Sequence, residues 1–313
     1  MELKPYYDVL VPGTYCCDII FTGMPAFPAL GTEIFCQNVS VIPGGTLNHI
    51  VALQRLGVNV GWVSALGSDF FSRFIGEAIQ EEGIDLSLIK RLDVPFRHAT
   101  VSLSFPQDRA FVSYADPSLD HVAMLFEVFN KVTFRHLHIC HLELHERVIE
   151  LIDACHAQGI QVSMDCQHQS VTLESPLVRE VLSRVDIFMP NAGEAQKLAC
   201  TDDVSDALDA LACLVPYVVI KQGGQGAIAR RNGVNYCEPA LKLTPVDTTG
   251  AGDVFNAGFL AAHLEGRDTS TCLQWGNFCG GISTLGAGGT FTAPTRAQLD
   301  AWLSEQKTDK TKN

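Results

Sequence analysis

Residues 247–259 read Asp-Thr-Thr-Gly-Ala-Gly-Asp-Val-Phe-Asn-Ala-Gly-Phe, and the apolar run continues through Leu260, Ala261 and Ala262. Val254, Phe255, Gly258, Phe259 and Ala262 recur at helical spacing, so they share one face of a buried helix whose opening loop holds Gly250 and Gly252. Those glycines let the backbone curl until several N–H groups point into one space, and the helix N-terminus adds a partial positive charge. The product is an anion hole. A carboxylate at Asp253 would repel a bound phosphate, but it makes sense as a base that takes the proton of a hydroxyl attacking a phosphoryl group. An acid stabilising the first helical turn explains the same residue equally well at this level.

Working outward, short apolar runs alternate with amphipathic segments. Residues 6–13, 60–67, 134–142, 160–165, 186–191 and 217–224 read as strands, and 49–57, 70–83, 146–159, 177–185 and 206–215 as helices, several of which stop at Gly. This is the rhythm of a doubly wound α/β domain with a mostly parallel sheet. Two stretches break it: 14–22 with 32–42, and 97–105 with 109–115, the second pair joined by Pro106-Gln107-Asp108 in hairpin fashion. Either they form a small β lid or they are extra edge strands.

The chain has 313 residues, 47% hydrophobic, with 22 Lys+Arg against 35 Asp+Glu, a formal net charge of −13. Disorder and collagen are excluded, and the acidic balance offers no general field for nucleic acid or an anionic membrane. Any small anion must be held by local groups. Eleven cysteines form no CxxC pair and often lie in apolar runs, which predicts free thiols in a cytoplasmic protein. No signal peptide and no membrane-spanning run is predicted. The sequence lacks GxxxxGK[ST], a GxGxxG after the first strand and a GxSxG elbow, which excludes a P-loop ATPase and disfavours a dinucleotide oxidoreductase and a serine hydrolase. His136, His138, His141 and His145 cluster, but the run reads as a buried strand and turn, so satisfied strand histidines are expected rather than a metal site.

The stretch at 247–259 closely resembles the C-terminal signature of the ribokinase-like (PfkB-type) carbohydrate kinases. PGGTLNHIVALQRLG at 43–57 resembles that family's N-terminal GG signature, and ALGSDFF at 65–71 with EEGID at 81–85 resembles the segment after it. PNAGEA at 190–195 resembles its NxxE motif and IKQGGQGA at 220–227 its nucleotide loop, all in the right order. The resemblance implies a Rossmann-like three-layer α/β/α domain spanning residues 1–313, with a β lid from about 14–42 and 96–116. It implies an ATP-dependent kinase that phosphorylates a hydroxyl, a primary alcohol, of a sugar or polyol.

The roles it implies can be carried over by position. Asp253 would be the general base, and Gly250, Ala251 and Gly252 would hold the transferring phosphoryl group. Asn191 and Glu194 would order Mg²⁺ and its waters, although the same pair could form a capping box. Lys221, Gly223 and Gly226 would line the nucleotide, with Asn277 beside the adenine. Asp247, with Gly286 and Ala287, would form a monovalent-cation site for K⁺. Asp18, Gly44 and Asn48 would bind the acceptor, and Arg109 would help close the lid over the phosphates. A homodimer through exposed lid edges is expected.

The chain also departs from the family pattern. The GG pair lies one residue nearer Asn48, Ser72 replaces a glycine, and the strand ending at Asp165 continues Cys-Gln-His-Gln where many members have an asparagine and an arginine. The absence of Lys and Arg from 43–48 argues against a phosphorylated acceptor. Two other readings remain: a nucleoside kinase, with Phe21, Phe27, Phe35 and Phe105 offering a slot for a base, and an inactive ligand-binding sensor.

Overall fold

The structure is a computed structural model that describes residues 4–105, 109–117, 119–167, 170–286 and 288–310. The expected turn at 106–108, His168 and Gln169 of the Cys-Gln-His-Gln segment, Ala287 and the end of the tail lie outside the described residues.

Nine strands form the larger sheet: β1 (Tyr6–Pro12), β4 (Val60–Leu66), β5 (Ile89–Arg91), β8 (Thr133–Ile139), β9 (Gln161–Met164), β10 (Ile187–Phe188), β11 (Tyr217–Lys221), β12 (Ala227–Arg231) and β13 (Val234–Glu238). Their order is β13-β12-β11-β10-β9-β8-β1-β4-β5. All neighbours are parallel except β11–β12 and β12–β13, an antiparallel hairpin at one edge. The strand expected over 186–191 shortens to Ile187–Phe188, because Pro190 stops the ladder and Asn191 caps the next helix.

Among the described residues there are eleven α-helices, α1 (Leu47–Arg55), α2 (Phe70–Glu81), α3 (His121–Phe129), α4 (Glu146–Ala157), α5 (Pro176–Leu182), α6 (Ala192–Ala199), α7 (Val204–Ala212), α8 (Ala251–Leu264), α9 (Thr269–Ser283), α10 (Gly289–Thr292) and α11 (Arg296–Lys310), and one 3-10 turn at Gly223–Gln225. Alternation along the buried strands divides them into two layers. Val219 and Tyr217 face a core shared with α1, α2, α8 and α9, while Val218 and Ile220 face the core of α3 to α7. Three layers result, as the sequence rhythm predicts.

The irregular stretches form a separate four-stranded sheet of β2 (Tyr15–Thr22), β3 (Asn38–Gly45), β6 (His98–Ser104) and β7 (Arg109–Ala115), in the order β3-β2-β6-β7. Extra edge strands on the main sheet are therefore excluded. β3 begins later than expected, at Asn38, and runs through the GG pair to Gly45, where φ of +65° ends the strand. Ser72 ties the two sheets together: its Oγ accepts from Gly67 N at 2.8 Å and lies 2.9 Å from Tyr15 Oη. The hydroxyl at this departure from the family pattern is thus fully used.

Candidate active site

Gly250 caps α8 at φ 71°, a left-handed conformation that glycine adopts without strain, and this sets Asp253 in the first turn of the helix. Its carboxyl is about a quarter exposed, with Asn48 Nδ2 donating to Oδ2 at 2.9 Å and His49 Nε2 lying 3.7 Å from Oδ1. Burial, reinforced by the nearby Asp165 carboxylate, pushes Asp253 up to about 6, while the Asn48 bond and the Lys221 charge act in the opposite sense. Position and protonation both suit a base working near neutral pH.

Behind Asp253 lies a buried polar network that the sequence did not single out. Lys221 Nζ donates to both oxygens of Asp165 at 3.0 and 2.9 Å and to Asn256 Oδ1 at 3.2 Å, and Asn256 Nδ2 donates to Asp165 Oδ2 at 2.6 Å. Asp165 is 4% exposed; burial raises its pKa, but Lys221 and His49 together hold it below the usual carboxylate value. His49 is buried and lowered to about 4, chiefly by desolvation, and its ring packs 4.9 Å from that of His138. Asp165 stands at the C-terminal end of a parallel strand, where α/β sheets place ligands, and that rule could have flagged it.

A cavity of about 400 Å³ on one side of Asp253 is lined by Asn191, Glu194, Lys221, Gly223, Gly252 and Asn277, joining most of the residues expected around a nucleotide. Gly226 sits at its edge with φ +98°, and a Cβ there would fall 2.1 Å from Glu238 O. At Gly223 and Gly224 a Cβ would meet nothing within 4 Å, so bare main chain faces open space. Asn191 and Glu194 do form a capping box, with Glu194 N donating to Asn191 Oδ1 at 2.9 Å and Asn191 N donating to Glu194 Oε2 at 2.8 Å. The box orients Glu194 along the cavity wall, so capping and cavity lining coexist. Asn277 spends its amide on Glu238 O and Pro239 O at 2.9 and 3.1 Å, fixing α9 to β13.

Arg109 reaches from β7 to Asp247 Oδ1 at 2.7 Å and also contacts Thr248 and Thr249. Asp247 further accepts from Thr249 N at 2.9 Å and Gly288 N at 3.0 Å, and despite burial its pKa is lowered by these bonds. A guanidinium therefore faces the carboxylate expected to hold a monovalent cation. Asp18 packs under Gly44, where a Cβ would fall 2.0 Å from Asp18 Oδ2. Burial raises the Asp18 pKa, and the charges of Asp253 and Asp247 raise it further.

A second cavity, of about 690 Å³, opens beside Thr46 and Cys140 and shares Gln167 with the first. Thr14, His98, His121, His141 and Glu143 line it, and none of these was anticipated as a ligand residue. Asp18, Gly44 and Asn48 line neither cavity. The histidine cluster divides, but its buried members are only half satisfied, since His136 Nδ1 and His138 Nε2 find no partner. His136 and His138 are buried and share Ser163 Oγ at 2.7 and 2.8 Å, His141 Nε2 lies 3.0 Å from Glu143 Oε2, and His145 caps α4. Phe27 and Phe105 stack on each other, Phe35 is 80% exposed, and neither these rings nor Phe21 line either cavity.

The pattern of the pfkB family carbohydrate kinases matches residues 27–296. The chain belongs to the PfkB family of carbohydrate kinases. It is 25% identical to a ribokinase from Bacillus subtilis over 304 residues, covering 95% of this chain and 99% of that one. It is also 25% identical to a fructokinase from Vibrio alginolyticus over 282 residues, covering 84% and 92%. The fold matches that of a Thermotoga maritima ribokinase with a TM-score of 0.79 at 22% identity, covering 95% and 99%. This PfkB protein is an ATP-dependent phosphotransferase acting on sugar hydroxyls. No described helix is long and apolar enough to cross a membrane.

Proposed function

We propose that the protein transfers the γ-phosphoryl group of ATP to a primary alcohol of a sugar or polyol, with Asp253 as the general base. The observation that carries this reading is the position of Asp253: first turn of α8, pKa raised to about 6, on the wall of a cavity that runs to the glycine loops. ATP fits the first cavity, where Gly223, Gly224 and Gly226 offer bare main chain to the nucleotide and Asn277 holds the wall against which the base stacks. The amides of Gly250 and Gly252 would receive the transferring phosphoryl group at the α8 N-terminus, joined by Ala251 N once it leaves Thr248 O, to which it donates at 3.3 Å. Glu194, oriented by the capping box, would hold Mg²⁺ through water, as suits a carboxylate on this wall, and the ion would neutralise charge between the phosphates. A structural neighbour from E. coli was solved with ATP and Mg²⁺.

Arg109 and β7 close the acceptor side, and closure matters because water competes with the alcohol. In the closed arrangement Asp253 accepts the hydroxyl proton while the oxygen attacks the γ-phosphorus. Asp18, Gly44 and Asn48 set the acceptor's neighbourhood, Asn48 by fixing the Asp253 carboxyl. K⁺ at Asp247 would require the Arg109 guanidinium to swing away, so we expect turnover to depend weakly on K⁺. Lid strands pairing between two copies would give a cytoplasmic homodimer. The reading is tested by ADP release from ATP·Mg²⁺ with and without sugar acceptors. Release at least tenfold above the acceptor-free rate supports it, and equal rates contradict it.

A further inference from the structure

Behind Asp253, three buried side chains of metal-binding type converge. His49 on α1, His138 on β8 and Cys140 just beyond β8 each offer one ligand atom, and these atoms all lie within 4.8 Å of one another. Each histidine uses one ring nitrogen and leaves the other idle. Ser163 Oγ lies 2.8 Å from His138 Nδ1, and Asn256 Nδ2 and Asp253 Oδ1 lie 3.4 and 3.7 Å from His49 Nε2. His138 Nε2 and His49 Nδ1 have no partner among the described residues. Two idle nitrogens on fully buried rings, 4.9 Å apart between centroids, are what a protein interior rarely keeps unless a bound group meets them.

The donor set indicates which group. Two imidazole nitrogens and a sulfur suit a borderline-soft ion such as Zn²⁺, whereas Mg²⁺ and Ca²⁺ take oxygen. A tetrahedral zinc ion holds its ligands about 3.5 Å apart, so side-chain shifts of about 1 Å close the site. The oxygen-bearing alternative, His49 with Asp165 and Asp253, is already engaged, because Lys221 and Asn256 hold the Asp165 carboxylate. Asp165 and Asp253 instead outnumber Lys221 among the charges that bear on Cys140, which favours a dication there. Cys140 and Thr46 both line the second cavity, so the thiol is the outer member of the cluster and the cavity is the way in.

We propose that His49, His138 and Cys140 bind a zinc ion, with the fourth position open to water from the second cavity, and that the bound ion inhibits turnover. On binding, both imidazoles donate a lone pair, an S–Zn bond replaces the S–H bond of Cys140, and the thiol proton leaves to solvent with no change of oxidation state. A dication beside the Asp253 carboxylate opposes its taking up a proton from an attacking hydroxyl. Binding is independent of the kinase reading; the inhibition rests on it.

The test uses the full chain, stripped with a chelator and titrated with Co²⁺ as a spectroscopic stand-in for zinc. Wild type should bind one ion per chain with a thiolate-to-cobalt charge-transfer band and the d–d absorption of a four-coordinate ion, both abolished by Zn²⁺. Cys140→Ser should lose the charge-transfer band, and His138→Gln should weaken Zn²⁺ binding by about 10²-fold or more. ATP·Mg²⁺ binding identifies the folded variants, and if one fails to fold the other carries the test. Absence of the band in wild type overturns the proposal. So does its persistence in Cys140→Ser, which would assign it to the exposed Cys200, Cys213 or Cys237, or unchanged Zn²⁺ affinity in folded His138→Gln. In sugar-dependent ADP release, Zn²⁺ at about ten times its Kd should lower the wild-type rate about tenfold, and lower that of Cys140→Ser less than twofold relative to its own metal-free rate. Zinc that binds with the expected signature and leaves turnover unchanged overturns the inhibitory role. A stripped protein that shows the band but never turns over any sugar would instead contradict the kinase reading.

Discussion

Ionising Asp253 puts a second carboxylate beside Asp165 at the foot of α8, with the Asn48 amide and the Lys221 ammonium as the compensating groups. Burial first and the Asp165 charge second outweigh this compensation, which is why the carboxyl rises from 3.8 to about 6. As a base it must be ionised, so kcat/KM should fall about tenfold per pH unit below pH 6 in a pH–rate profile. Stability carries the opposite sign. A folded-state pKa above the unfolded one contributes stability that is complete below pH 3.8 and is lost as pH rises through about 6. At pH 7 the loss is roughly 3 kcal/mol by the usual 1.4 kcal/mol per tenfold change. Asp253→Asn should therefore melt above the wild type at pH 7.5, with the gap about halved at pH 5 and closed only below about pH 3.8, and a lower melting point at pH 7.5 would contradict this account. Lys221 poses the converse case. Lys221→Met strands the buried Asp165 carboxylate and should cost about 3–5 kcal/mol in urea unfolding, largely recovered by Asp165→Asn in the double variant.

Helices α8 and α9 approach so closely because glycines line their contact. A Cβ at Gly258 would fall 2.7 Å from Trp275 O, and one at Gly276 would fall 2.8 Å from the Phe255 ring. Gly258→Ala should therefore destabilise by about 1–3 kcal/mol through overpacking, and because α8 carries Asp253 it should also lower kcat. Chemical denaturation beside steady-state kinetics checks both. At this scale the sequence was readable wherever apolar spacing was long and regular: β1, α1, β4, α2, β8 and α4 lie where the pattern placed them. It was less readable where pairing partners decide the structure. The hairpin β12–β13 is held by ladder bonds to β11 rather than by its own pattern, and β3 extends through the GG pair because β2 lies alongside it. Local spacing carries no record of such partners.

At the scale of the whole molecule, the four-stranded sheet leaves Phe111, Val112 and Tyr114 of its edge strand β7 more than half exposed, and Val39 on the other edge likewise. An uncovered apolar edge of this kind invites a second copy. A homodimer through this sheet should be seen in light scattering, and Val112→Asp should shift the mass towards the monomer. The net charge of −13 is met locally in the same spirit: Lys221 and Arg109, the cations nearest the site, are engaged by Asp165 and Asp247, which leaves main-chain amides and the α8 terminus to face phosphate. The phosphoryl side of the site was legible because its residues are contiguous, as in 247–253 and 190–194. The buried Asp165–Lys221–Asn256–His49 network and the second cavity draw single residues from distant segments that only the fold brings together. The central claim is that catalysis depends on Asp253 as the proton acceptor at the wall of the first cavity. The most direct measurement is sugar-dependent ADP release by Asp253→Asn beside its affinity for ATP·Mg²⁺. A fall in kcat of about 10²–10⁴-fold with ATP affinity within twofold is predicted, and turnover within tenfold of the wild type would contradict it.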